Sequence, residues 1–113
     1  MKLNIILGVI LLLIGCGKSE PAKPDKYGAY FTCQDGVKRK LKTPSTASFS
    51  SISESNVTQL RIGRRGGKDE IQFLVVGYVD AQNSFGAKLR NNFTCKATGQ
   101  TGDLWRIDSL YIQ

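Results

Sequence analysis

The segment "GAKLRNNFTCKAT", residues 86–98, alternates strongly enough to dictate a strand. Ala87, Leu89, Phe93, Cys95 and Ala97 share one parity, and Lys88, Arg90, Asn92, Thr94 and Lys96 share the other. Successive strand side chains point to opposite faces, so this strand has one buried and one wet face. A different period governs the chain upstream. Tyr30, Cys33, Val37 and Leu41 follow one another at spacings of three, four and four, which puts them on one stripe of a helix. One cysteine lies on each apolar face. A helix packed across a sheet, with the two cysteines between them, satisfies both periods at once.

Neighbouring signals extend that frame. Asp25 stands where a helix N-cap would stand, and Pro44 keeps its predecessor out of helical geometry. The spacing therefore predicts a helix over residues 26–42, with Lys38, Arg39 and Lys42 on its outer side. Gly28 and Gly36 weaken it by about 1 kcal/mol each. The serine-rich stretch 44–55 reads as a loop, pinned by Phe49 and Ile52. Leu60 and Ile62 alternate with Gln59 and Arg61 as a first strand, and residues 63–69 read as a basic glycine-rich turn. Ile71, Phe73, Val75 and Val79 mark a long second strand whose other face still carries Leu74, Val76 and Tyr78. Residues 99–103 turn the chain, and Trp105 and Ile107 open a last strand ending near Ile112. The expected fold is α+β: one N-terminal helix packed on a roughly four-stranded, mostly antiparallel sheet, stapled by one disulfide.

The staple depends on where the protein resides. Residues 1–4 carry one positive charge, residues 5–14 are apolar except for Gly8, and residues 15–20 are small and then charged. That order is the layout of a secretory leader. Its apolar run of about ten residues falls short of the roughly 20 that a membrane-spanning helix needs. Leu13-Ile14-Gly15-Cys16 resembles the lipobox of bacterial lipoproteins, in which the cysteine is acylated and becomes the new first residue. The rival reading is an ordinary secretory leader with an incidental cysteine. The resemblance implies a division into residues 1–15 as signal peptide, 16–25 as lipidated N-terminus and linker, and 26–113 as one small domain. It also implies that Cys16 holds the protein on a lipid bilayer, because several acyl chains anchor stably where one is marginal. Gly17 is similar to the residue that follows the cysteine in lipoproteins sent on to the outer membrane, on its periplasmic side. In an exported protein, the remaining pair, Cys33 and Cys95, is most simply a disulfide. A metal pair would lack ligands, since the chain has no histidine and no C-x-x-C.

The net charge is +7. Outside the cytoplasm this points away from nucleic acid and toward anionic headgroups or acidic protein surfaces, or simply to a solvated face. Absence of histidine removes the commonest general base and the commonest metal ligand. No serine stands in a nucleophile elbow, and Asp80, Asp103 and Asp108 read as solvated or turn-stabilising carboxylates. The expectation is a protein without catalytic residues, metal or cofactor. "GRRGGK" lacks the ending and following helix of a phosphate-binding loop. Its charges, Arg61, Arg64, Arg65 and Lys68, suit bidentate capture of anions or serve as a solubilising turn. Lys88, Arg90 and Lys96 form a second basic group. The tip Gln82-Asn83-Ser84-Phe85 is another candidate, with Gln82 and Phe85 as contacts, although Phe85 is expected to fold back onto the sheet.

The segment "GYVDAQNSFGAKLRNNFTC", residues 77–95, with Cys33 and "VKRKLKTPSTASF" upstream, is similar to a signature of small uncharacterised proteins of bacteria and their phages or prophages. That resemblance brings no activity with it. Together with the lipobox it implies a membrane-anchored, non-enzymatic binding module of the envelope. Its concrete form would be a phage or prophage exclusion lipoprotein whose partner is an outer-membrane barrel. The alternatives are an inhibitor of a cell-wall enzyme such as lysozyme, or a structural accessory of an envelope assembly complex.

Overall fold

The computed structural model describes residues 22–113; the expected leader and Cys16 lie outside the described residues. Helix α1 spans Lys26–Lys40. Asp25 caps it, its Oδ1 accepting the Gly28 N–H at 2.9 Å. Leu41 is already extended, and its N–H donates to the Lys38 carbonyl, so the helix stops two residues short of the expected end. Lys38, Arg39 and Lys40 fill the last turn, where the helix dipole favours positive charge.

A single 3-10 turn, Pro44–Thr46, leads into five strands. These are β1, Ser48–Phe49; β2, Asn56–Arg65; β3, Lys68–Gln82; β4, Lys88–Gln100; and β5, Leu104–Ile112. All pairings are antiparallel. β1 and β2 pair with different stretches of one edge of β3, so the sheet is four strands wide even though five strands build it. The expected α+β fold is present, as is the Cys33–Cys95 disulfide, with its Cα atoms 6.0 Å apart.

The core lies between α1 and one face of the sheet. Ala29, Cys33 and Val37 of the helix meet Phe73, Val75 and Val79 of β3 and Phe93, Cys95 and Ala97 of β4, all buried. Tyr30, also on the helix, donates its hydroxyl to the buried Ser50 carbonyl at 2.6 Å. Trp105 fixes how closely the helix approaches. A Cβ on Gly28 would lie 2.4 Å from its indole, and one on Gly99 would lie 2.7 Å from it. The ring occupies space that two glycines on facing elements leave open.

Three local expectations change. The loop 44–55 holds β1, and Phe49 packs on the core from it, whereas Ile52 is only partly buried. The register of β2 shifts between Gln59 and Arg61, so Leu60 is the extra residue of a bulge with no partner across the ladder and is 40% exposed. Ile62 lies opposite Ile71 on the core-facing side and is nevertheless 70% exposed, whereas Val57 packs on the core. The expected turn over residues 63–69 shrinks to Gly66-Gly67, both at positive φ, as a two-residue hairpin requires. Arg64 and Arg65 therefore sit on β2 and Lys68 on β3.

Candidate functional site

The two candidate binding groups lie at opposite ends of the sheet. β3 runs 15 residues from one to the other, about 50 Å at the usual rise. The Gly66-Gly67 turn, the β4–β5 turn and residue 22 share one end: the Gly102 N–H donates to the Ala22 carbonyl at 3.1 Å, and Lys23 faces Asp69 at 4.0 Å. The β3–β4 tip shares the other end with the C-terminus of α1.

At the first end the basic charges are largely answered in place. Arg64 donates to Asp69 and to the Gly67 carbonyl, both at 2.7 Å. Arg65 lies 3.8 Å from Glu70, which also accepts from Gln100 at 2.7 Å and from Arg106 at 3.5 Å. These two hydrogen bonds hold the Glu70 carboxyl below its usual range. Beside it, Asp108 accepts from Thr98, from Gln72 at 2.9 Å and from Arg106 at 3.1 Å. Burial pushes the Asp108 carboxyl up, but those three donors outweigh it and the net shift is downward. Among the described residues, Arg61 and Lys68 form no salt bridge. The sequence thus suggested a loop with four free cations, whereas the structure has two paired arginines and two unpaired cations on strands.

The second basic group divides in the same way. Arg90 grips Asp80 through two bonds of 2.8 and 2.9 Å and stacks 3.8 Å above the Tyr78 ring. The pairing lowers the Asp80 carboxyl and raises the Arg90 guanidinium. The Tyr78 hydroxyl donates to Glu54 at 3.0 Å, which raises the phenol. Lys88 and Lys96 stand exposed. Asp103, at φ 61°, accepts from the Trp105 indole N–H at 3.2 Å, a turn role. Among the described residues no cluster of three or more histidine, cysteine, aspartate or glutamate side chains suits a metal ion.

At the tip, Asn83 Oδ1 accepts the N–H groups of Phe85 and Ala87 at 2.9 and 3.0 Å, and Gly86 takes φ 83°. Thr46 and Thr43 clamp the Gln82 backbone from the 3-10 turn. So tight a turn cannot lay Phe85 back on the sheet. Phe85 is 93% exposed, which corrects the expectation and leaves a rigidly presented aromatic.

Behind the tip opens a groove of about 480 Å³ that the sequence reading missed, lined by Lys40, Leu41, Lys42, Leu89, Asn91 and Ile112 among others. Its origin is a mismatch of length. The 15 residues of α1 reach about 22 Å, and the 13 of β4 about 44 Å. Phe93, Cys95 and Ala97 lie under the helix, whereas Leu89 keeps their parity but is half exposed beyond its end. The ladder of β5 with β4 reaches Ile112 opposite Phe93, and the Gln113 N–H donates to the Asn92 carbonyl at 2.8 Å. Against known proteins, the chain matches no family model, no curated sequence and no solved structure.

Proposed function

We propose that the chain is a lipid-anchored, non-enzymatic binding module of the bacterial cell envelope, tethered through Cys16 and engaging a protein with its far end. The observation that carries this reading is polarity along the sheet. Residue 22 sits at the end that bears Arg64, Arg65 and Lys68, and the exposed Phe85 and the groove sit at the other. Six residues of chain from Cys16 to Ala22 reach at most about 20 Å, so an acylated Cys16 holds the basic end near anionic headgroups. The tip then projects roughly 50 Å farther out. No helix among the described residues is long and apolar enough to cross a membrane. The lipobox supports the anchor, and the resemblance to small phage and prophage proteins supports the concrete form, exclusion of other phages by occupying an outer-membrane barrel.

In-cell photo-crosslinking from positions 64 and 85, read by mass spectrometry, tests the reading. Position 85 should capture one protein and position 64 lipid. Capture of a lysozyme-type enzyme at position 85, with loss of its lytic activity on titration, would replace exclusion by inhibition. Absence of any protein at position 85 would overturn the binding-module reading.

A further inference from the structure

The end of the domain that holds residue 22 exposes apolar side chains on its helix side. Gly28 and Gly36 let α1 settle against Trp105 and Ile107 of β5, where a Cβ would come within 2.4 and 2.3 Å of those side chains. A helix drawn to that flank leaves the inner face of β2 uncovered. Ile62 lies there, opposite Ile71, which pairs with Gly99 and through it with Trp105. It therefore shares a cross-strand row with the side chain that Gly28 abuts. Tyr27 precedes Tyr30 by three residues and Phe31 by four, which puts all three on one flank of the helix. Tyr30 marks that flank as the one turned away from β5, since its hydroxyl reaches Ser50 at the opposite edge of the sheet. Its ring meets Phe31 edge-on at 5.2 Å. Tyr27, Phe31 and Ile62 are 51%, 57% and 70% exposed. Gln34 and Asp35 end the apolar flank one turn farther on.

Charge and position identify what covers this flank. Lys26 stands over the Tyr27 ring at 5.3 Å, and Lys23 precedes it on the same segment, both exposed. Of the carboxylates at this end, Asp25 accepts the Gly28 N–H, Asp69 pairs with Arg64, and Asp103 lies against Trp105 on the β5 flank. The patch is therefore aromatic and aliphatic with a cationic rim, a composition that favours the boundary between headgroups and acyl chains. Its three side chains expose roughly 300 Å² between them. A stable protein interface takes about 800 Å² from each partner, whereas a tethered domain needs only to be oriented. With an acylated Cys16 six residues from Ala22, this end stays within about 20 Å of the membrane surface. We infer that Tyr27, Phe31 and Ile62 seat in the interfacial layer of an anionic phospholipid bilayer beside the anchor, with Lys23 and Lys26 among its headgroups. The inference rests on the reading of the chain as a lipid-anchored module and names the side of the domain that meets the membrane.

The test uses the acylated mature chain, isotopically labelled and seated in nanodiscs of phosphatidylethanolamine and phosphatidylglycerol. A nitroxide is carried near the top of the lipid acyl chain. Amide signals of residues 27, 31 and 62 should be broadened away. Those of Arg65 and Arg106, at the same end but on the open face, should lose less, and the tip at residues 82–86 should be untouched. The double variant Tyr27→Gln, Phe31→Gln changes exposed side chains, so it should fold as the parent does, which its amide dispersion checks. It should stay on the discs through its acyl chains and lose the contrast between the two faces. Ile62→Gln, on a different element, should weaken the same contrast. Discs of neutral phosphatidylcholine should weaken it too, because Lys23 and Lys26 then meet no net negative surface. Equal broadening of the two faces, a contrast that survives in the double variant, or capture of protein instead of lipid by a photo-crosslinker at position 31 would overturn the inference and leave the anchor standing. So would concentration-dependent shifts at residues 27–31 in detergent, which would mean that a second copy covers the flank. A chain that fails to stay with the discs overturns the anchor and this inference with it.

Discussion

Gly28→Ala should destabilise the domain even though it places a better helix former in a helix. Alanine gains at most about 1 kcal/mol over glycine from propensity. Its Cβ, however, would sit 2.4 and 2.8 Å from two atoms of the Trp105 ring. The ring cannot retreat toward β4, because there it already fills the space above Gly99, where a Cβ would meet it at 2.7 Å. Overpacking of this kind costs about 1–3 kcal/mol, so the expected net loss is about 1–2 kcal/mol. For a domain of this size that lowers the melting temperature by roughly 5–15 °C. Gly36→Ala is the internal control. Its Cβ would meet Ile107 Cδ1 at 2.3 Å, but that atom is the end of a flexible side chain that can rotate away. Propensity and crowding then nearly cancel, and the change should stay within about 0.5 kcal/mol. The assay is thermal unfolding by circular dichroism with the disulfide intact, where small domains behave as two states. In a Trp105→Leu background the Gly28→Ala penalty should vanish, a coupling of about 1–2 kcal/mol. A Gly28→Ala protein that melts at or above the parent temperature, or that keeps its penalty without Trp105, would refute the clamp.

Asp25→Ala removes the acceptor for the Gly28 N–H and should cost about 1 kcal/mol in the same melts. Reducing the Cys33–Cys95 bond frees a loop with a sequence separation of 62 and should lower stability by up to about 4 kcal/mol, seen as a lower urea midpoint in the presence of dithiothreitol. Glu70, Asp80 and Asp108 titrate below their ordinary values in the fold, so the stability they contribute is present above about pH 4 and is lost as pH falls through their folded values; urea midpoints unchanged down to pH 2 would contradict the ion-pair network. Phe85→Ala should leave the unfolding free energy within about 0.5 kcal/mol of the parent while abolishing capture from neighbouring crosslinker positions. Cys16→Ser should release the protein from membranes, and pelleting that survives an alkaline wash would rule out the lipid tether.

The architecture was legible wherever one side chain reports one face. Phe93, Cys95 and Ala97 announce a core face by alternation alone, and the helical stripe that carries Cys33 meets it. Legibility ended where burial depends on a second element's length. Leu89 has the parity of Phe93, and only the end of α1 at Lys40 separates their fates. The β2 bulge is equally silent, since a one-residue insertion changes which side chains face inward and leaves composition untouched. At the basic turn the information was present but needed a fold point. Closing "RRGGKDE" at Gly66-Gly67 sets Arg64 opposite Asp69, which converts a row of cations into an ion pair.

That conversion bears on where a partner docks. Across the open face of the sheet, Arg65, Arg90 and Arg106 are held by Glu70, Asp80 and Asp108. A protein that used those arginines would have to displace carboxylates already in place, and binding would keep only the difference.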